Sequence, residues 1–417
     1  MRASFYALFG CVAALAAVFL TPWVPSQMAE RLGGESVEAI LAILASSLLA
    51  VATFSLGAMV SAYAAVSQAA SPRVAVLVTS DETTQKSLAT FVGAFLYAVV
   101  ATTAVNASYY GPEGRAVLFM TSLGVVVLVA FRLLAWINRL SSLARLSHMI
   151  EKVEDETAEA LKPYRLSMGS RPERLSGATV VSPVTGYVQN IDRRALRTIA
   201  ERLACRIELV ATTGAFVRRD EPLCRLDVAE PAERTLSEIL ATFSLDRARS
   251  FAQDPRHGLI VLGEIAGKAL SPAIHDPGTA IAVIGTGVRL LDDWSRPTEA
   301  DAQKVTGDRL IEPDLDAQDL LDDLFGPMVR FGLGDFQVAV RLYKALRSLR
   351  ENGSGLAPAA RALADEVAFR ARINLPGPDA ARFETELDRA GRPFGSPIPL
   401  AVLQTSAPCR PKGRQSW

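Results

Sequence analysis

Two Asp-Pro pairs, Asp254-Pro255 and Asp276-Pro277, carry the residue types in this chain best suited to chemistry. An aspartate before a proline is first a helix-capping device. Its carboxylate accepts from orphan amides of the first turn, and proline at N1 has no amide to leave unpaired. The same groups can also bind a ligand. A helix N-terminus presents free amides and the positive end of the helix dipole to a carboxylate or phosphate. Ser271, His275 and Thr279 add hydroxyl and imidazole groups within one turn of the second pair. Arg249 and Gln253, one turn apart before the first pair, could face the same concavity. The candidate ligand-binding set is therefore Ser271, His275, Asp276, Thr279, Arg249 and Gln253. Its expected ligand is a small anion, provided that capping occupies the Asp276 carboxylate.

Catalytic readings of these residues are weaker. Ser271 as nucleophile with His275 as base and Asp276 as orienter needs three side chains to converge, yet neighbours on a turn usually diverge, and no Gly-x-Ser-x-Gly elbow is present. His257 and His275 are too far apart for a local metal motif, and the cysteines Cys11, Cys205, Cys224 and Cys409 form no CxxC, so neither metal nor cofactor is expected. The cysteines read as reduced thiols. Gly285-Thr286-Gly287 follows no strand and is no dinucleotide loop. The acids Glu312, Asp314, Asp316, Asp319, Asp322 and Asp323 lack the central glycine and final glutamate of a calcium loop. They read as the solvated start of a helix.

The elements that must position these groups fall into two halves. Half of the 417 residues are hydrophobic, and they crowd into the first 140 positions, whereas most of the charge follows Arg139. A bilayer core of roughly 30 Å needs about 20 apolar helical residues. Four runs approach or exceed that length: Phe5–Phe19, Ala39–Val66, Leu88–Tyr110 and Ala116–Ile137. The first reads as a retained span rather than a signal peptide, because Pro22-Trp23-Val24-Pro25 resembles an interfacial exit and no small-x-small cleavage site follows. With the N-terminus inside, Arg2, Arg73, Lys86, Arg139 and Arg145 all lie cytoplasmic, so both termini are predicted there. Small residues around Gly57 and Ser61 suit close helix contact and self-association. No acid–base chain lies within the spans, which argues against a proton-coupled pump.

Beyond the spans, residues 149–161 read as a charged helical stalk with a solvated face, followed by a Pro/Gly linker. Val180-Val181, Gly186-Tyr187-Val188 and Arg206–Val210 read as short strands around a helix at Arg193–Ala204. Gly214–Leu223 adds a strand, a tight turn and another strand. This phrasing resembles biotinyl/lipoyl-type β-sandwiches, with Asp220 where their second glycine falls and no lysine at a hairpin tip to carry a swinging arm. Helices are then predicted throughout: Leu236, Ile239, Leu240 and Phe243 at helical spacing, Arg247–Gln253, Asp254 to Leu270, His275 to Asp293, Asp316–Phe331, Asp335–Arg350, Ala357–Ile373 and Asp379–Ala390.

Two separated motifs carry a wider resemblance. Ser71-Pro72-Arg73 with Phe91-Val92-Gly93-Ala94-Phe95-Leu96-Tyr97, and Gln253-Asp254-Pro255 with Ala269 through Ala280, resemble the bacterial membrane-protein family known as domain of unknown function 2254. The resemblance implies an integral inner-membrane protein with a soluble C-terminal region, and no reaction. The family typically has asparagine where this chain has His275, and a bulkier residue than Gly278.

The expected architecture is a membrane α-helical bundle of four spans plus a cytoplasmic α+β region, a small β module followed by a helical domain. The divisions are a transmembrane domain at 1–148, stalk and linker at 149–177, β module at 178–228, helical domain at 229–390 and disordered tail at 391–417. The expected role is a non-enzymatic sensor, channel or transport accessory that binds a small anion or partner. The alternatives are a membrane-anchored enzyme acting on an envelope or lipid-derived substrate, or an assembly protein. Expected partners are the lipid bilayer, a second copy of the chain and a small anion. Equal numbers of basic and acidic residues, 44 each, give no reason to expect nucleic acid.

Overall fold

A computed structural model describes residues 36–79, 82–107, 109–143, 145–164, 174–296, 309–351 and 355–390. The run at Phe5–Phe19 and the tail at 391–417 lie outside the described residues.

Three helices are long and apolar enough to cross a membrane: α1 (Ser36–Ala69), α3 (Glu82–Asn106) and α4 (Pro112–Leu143). The middle one, α3, is the most enclosed, with half of its apolar window buried against 28% for α1 and 17% for α4. Its buried face is the first motif itself. Phe91, Ala94, Tyr97 and Ala98 recur at helical spacing and are shielded, with Phe91 in one apolar cluster with Leu44 and Leu48 of α1. The Tyr97 hydroxyl lies 2.6 Å from the Thr121 hydroxyl and 3.2 Å from that of Ser122, a polar tie between α3 and α4.

The connector between α1 and α3 reads as a polar turn, but it contains a helix, α2 (Pro72–Thr79). Ser71 caps it. Its hydroxyl accepts from the Arg73 amide at 3.3 Å while Pro72 occupies the first helical position.

The expected stalk also differs. Helix α5 (Leu146–Leu161) is separate from α4, and Met149, Ile150, Val153, Thr157, Ala160 and Leu161 are buried. It is a core helix with one charged face. A short 3-10 turn, Lys162–Tyr164, closes it.

The β module contains β1 (Thr179–Val181), β2 (Gly186–Ile191), helix α6 (Arg193–Arg202), β3 (Ile207–Leu209), β4 (Phe216–Val217) and β5 (Pro222–Leu226). After helix α7 (Glu233–Leu240) comes β6 (Phe243–Asp246), and later β7 (Leu310–Ile311). The sheets run β1-β5-β3-β7 and β4-β2-β6, and both contribute to one apolar core that includes Val188, Ile207, Leu223 and Leu226. Phe243 therefore starts a strand rather than ending a helix. Its side chain is buried and Ser244 is exposed, the alternation of a strand paired on one side to β2. Residues 310–311 add a parallel edge to β3 from within the region expected to be helical. Asp220 has φ +67°, so it fills a left-handed turn position that aspartate tolerates better than most residues.

Arg247–Gln253 is a series of bends and turns, not a helix. The remaining helices match the periodicity: α8 (His257–Ala269), α9 (Pro277–Ser295), α10 (Ala317–Phe331), α11 (Phe336–Glu351), α12 (Ala357–Asn374) and α13 (Gly377–Ala390). Helix α8 is buried on nearly every side, packed among α5, α9 and α10. Val66, Val74 and Leu77, from the end of α1 and from α2, belong to the same core as Leu262 and Ile265 of α8.

Candidate functional site

The first sequence motif meets α8, the helix that lies between the two pieces of the second, at this junction. Glu264, half-buried on α8, accepts a hydrogen bond from the Ser71 hydroxyl at 3.0 Å and forms an ion pair with Arg73. One turn further, Lys268 donates to the Ser67 carbonyl at 3.1 Å, and Lys152 of α5 donates to the Leu77 carbonyl at 2.6 Å. Ser67 and Leu77 lie in the last turns of α1 and α2. Carbonyls there lack intrahelical partners, and a lysine ammonium suits both their lone pairs and the negative end of the dipole. The Arg73–Glu264 pair is well exposed and contributes at most about 1 kcal/mol. Burying Val66, Val74 and Leu77 contributes roughly 1.5–3 kcal/mol each. Apolar burial thus holds the junction, and the polar contacts set its register.

At the opposite end of α8, Asp254 is a buried hub. Its carboxylate takes Arg249 through two bonds of 2.6 and 2.8 Å and accepts from the Arg256 and His257 amides, each at 3.1 Å. Gly214, at φ +89°, brings the β module against it, and a Cβ there would sit 2.3 Å from the Asp254 carboxylate. Thr213 donates to the Gln253 carbonyl at 2.8 Å. The Gln253 amide oxygen accepts from Arg193 at 3.0 Å and from the Ile191 amide at 3.2 Å, and Arg193 in turn chelates Glu312. Burial pushes the His257 imidazole down to about 4, so it is neutral at physiological pH, its ring tilted by 56° against that of Phe251 at 4.5 Å.

The second Asp-Pro pair caps α9. The Asp276 carboxylate accepts from the Thr279 amide at 3.1 Å and from its hydroxyl at 2.6 Å, with Pro277 starting α9. These bonds, the hydroxyl's foremost, hold the Asp276 carboxyl below its ordinary range. His275 is exposed and left-handed, with φ +47°. Asparagine, the residue typical of the resembled family at this place, adopts that conformation more readily. Ser271 is half-buried at the start of the same loop.

The six candidate residues thus separate into two groups. Arg249 and Gln253 lie at the start of α8, and Ser271, His275, Asp276 and Thr279 beyond its end. A helix of 13 residues separates them by roughly 20 Å.

A basic cleft of about 570 Å³ lies between α9, α11 and α13. Arg341, Lys344, Arg382 and Arg389 line it, with Glu386 the one acid, and Ile281, Phe336 and Val340 form apolar parts of its wall. Arg382 lies over the Phe336 ring at 4.5 Å, while Lys344 and Arg389 share Glu386. In α13 the cations alternate with acids and look merely solvated, but α11 carries Arg341, Lys344, Arg347 and Arg350 with Glu351 as its one acid, a basic stretch that was present in the sequence. Among the described residues no three His, Cys, Asp or Glu side chains are grouped to hold a metal ion. Burial pushes the Cys224 thiol up to about 12, which leaves it inert as a nucleophile.

Apolar helices joined to a helical region by motif residues define a class of membrane protein with a closely attached extramembrane part. The chain belongs to the family described as predicted membrane protein, DUF2254, whose model matches residues 2–348. No curated protein and no solved structure matches the chain.

Proposed function

We propose that this is a non-enzymatic, multi-pass protein of the bacterial inner membrane, with four spans and both termini cytoplasmic, in which the helical domain senses a small anion and passes its state to the membrane helices. The observation that carries this reading is the junction of Ser71 and Arg73 with Glu264. It ties the connector between two apolar helices to the most enclosed helix of the extramembrane region. The basic cleft supplies the anion site, with three more cations than acids among its lining residues (four against one). The run at Phe5–Phe19 supplies the fourth span. The β module, read as a biotinyl/lipoyl-type sandwich without an attachment lysine, serves as a structural support. Ligand binding can bias membrane helices only if two states of the protein differ in affinity. The cleft, built from three helices of which α9 also contacts α8 and α5, is suited to such a difference. A sensor, a channel regulator and a transport accessory share this device.

An enzyme centred on Ser271, His275 and Asp276 has less support, because the Asp276 carboxylate is engaged by Thr279 and His275 faces outward. The discriminating experiment exposes full-length protein in nanodiscs to a cell metabolite extract and follows bound and free compounds by mass spectrometry. An anion retained unchanged by the wild type and lost from Arg382→Ala supports sensing. A compound consumed with a product appearing overturns it.

A further inference from the structure

Four of the large apolar side chains exposed outside α1–α4 gather at one end of the helical region. Ile274 follows α8, Phe331 ends α10, and Phe369 with Ile373 lies in the last turns of α12; they are 46%, 59%, 62% and 66% exposed. Close backbone contacts bring these helix ends together. A methyl group on Gly267 of α8 would touch the Phe331 ring at 3.9 Å, one on Gly332 would meet Leu270 at 2.8 Å, and one on Gly334 would lie 4.0 Å from the Asn374 carbonyl. Phe369 and Ile373, four residues apart, share a helix face.

This end is also the one that touches the membrane helices. Lys268 bonds the Ser67 carbonyl, and Ser67 lies at the very end of the apolar stretch Val37–Gln68. The patch therefore starts within about one helical turn of the level at which α1 leaves the apolar layer. Phenylalanine and isoleucine exposed at that level would otherwise face water, while exposed Arg330 beside Phe331 suits the phosphate layer.

We propose that this end of the helical region rests on the bilayer surface, with Ile274, Phe331, Phe369 and Ile373 set among the headgroups and upper acyl chains. The helical region would then be held to the membrane at two places, the α2 junction and this apolar foot. The inference rests on α1 crossing the membrane and is independent of the anion reading.

The test uses full-length protein in phospholipid nanodiscs, with Cys11→Ser and Cys409→Ser; Cys205 and Cys224 are buried. Ile274→Cys, Phe331→Cys and Ile373→Cys are each spin-labelled, with Phe216→Cys in β4 as an exposed control. Relaxation by oxygen should exceed relaxation by a water-soluble nickel chelate at the three foot positions, and the order should reverse at 216. Hydroxyl-radical footprinting of the unsubstituted chain gives a second readout, with Phe331 and Phe369 protected and Phe216 oxidised. Nickel-accessible labels together with oxidised Phe331 and Phe369 would overturn the proposal. So would spin–spin broadening at the foot relieved by dilution with unlabelled protein, which would assign the patch to a second copy of the chain.

Discussion

Asp254 and Asp276 share the same local wording, an aspartate before a proline at a helix start, yet they have different physical weight. Asp276 is partly exposed, and its carboxylate bonds Thr279 three residues away. Asp254 is 2% exposed and faces Arg249, two amides and the Gly214 turn at once. Replacing Asp276 with alanine should cost about 0.5–2 kcal/mol, the range of a lost N-cap. Replacing Asp254 strands Arg249 partly buried without its partner and should cost about 3–5 kcal/mol. Thermal unfolding of the two variants, followed by circular dichroism, should show a clearly larger loss for Asp254→Ala; equal losses would mean that the hub is only a cap. The cap at Asp276 was legible in the sequence, whereas Asp254 stands three residues before α8, whose N-cap position is Arg256, and bonds the Arg256 and His257 amides from there. The difference between them was not legible, because it depends on Gly214 and Arg249 converging through tertiary structure rather than on neighbours in the chain.

Helix periodicity identified α8 to α13 within a few residues of their ends, because each buries a continuous apolar stripe. Strands β1 to β5 were legible from β-branched residues and turn signals, but β6 and β7 were not. β6 has four residues and β7 two, and each exists because a partner strand, β2 or β3, offers an unpaired edge. Helix α8 shows what packing adds to pattern. A Cβ on Gly263 would meet the Asp323 and Leu324 carbonyl oxygens at 2.6 and 2.8 Å, so α8 and α10 approach through bare backbone. Carbonyl oxygens fixed in a helix cannot move aside cheaply. Gly263→Ala should therefore destabilise by about 1–3 kcal/mol. Gly326→Ala in α10, whose Cβ would meet open space, should be neutral or stabilise by up to about 1 kcal/mol. Unfolding midpoints of the two variants should move in opposite directions or differ clearly; a neutral Gly263→Ala would refute the close approach.

At the scale of the whole molecule, the first motif and the helix bracketed by the second are parts of one joint. Ser71 caps α2 and also bonds Glu264, while Arg73 reaches that same carboxylate across 191 positions of sequence. The apolar runs on either side of Ser71-Pro72-Arg73 and the helix from Asp254 to Leu270 were visible in the sequence. Their meeting was not visible, because an Arg–Glu pair so far apart has no local spacing to betray it. Hydrogen exchange of full-length protein in nanodiscs reports on the tie between the membrane helices and the helical region. Substituting Glu264→Ala should speed amide exchange in α2, residues 72–79, by roughly 1.5- to 5-fold, the effect of losing about 0.2–1 kcal/mol from a partly exposed ion pair, with exchange in α3 unchanged. Exchange in α2 that stays at the wild-type rate while α8 alone loosens would contradict the joint.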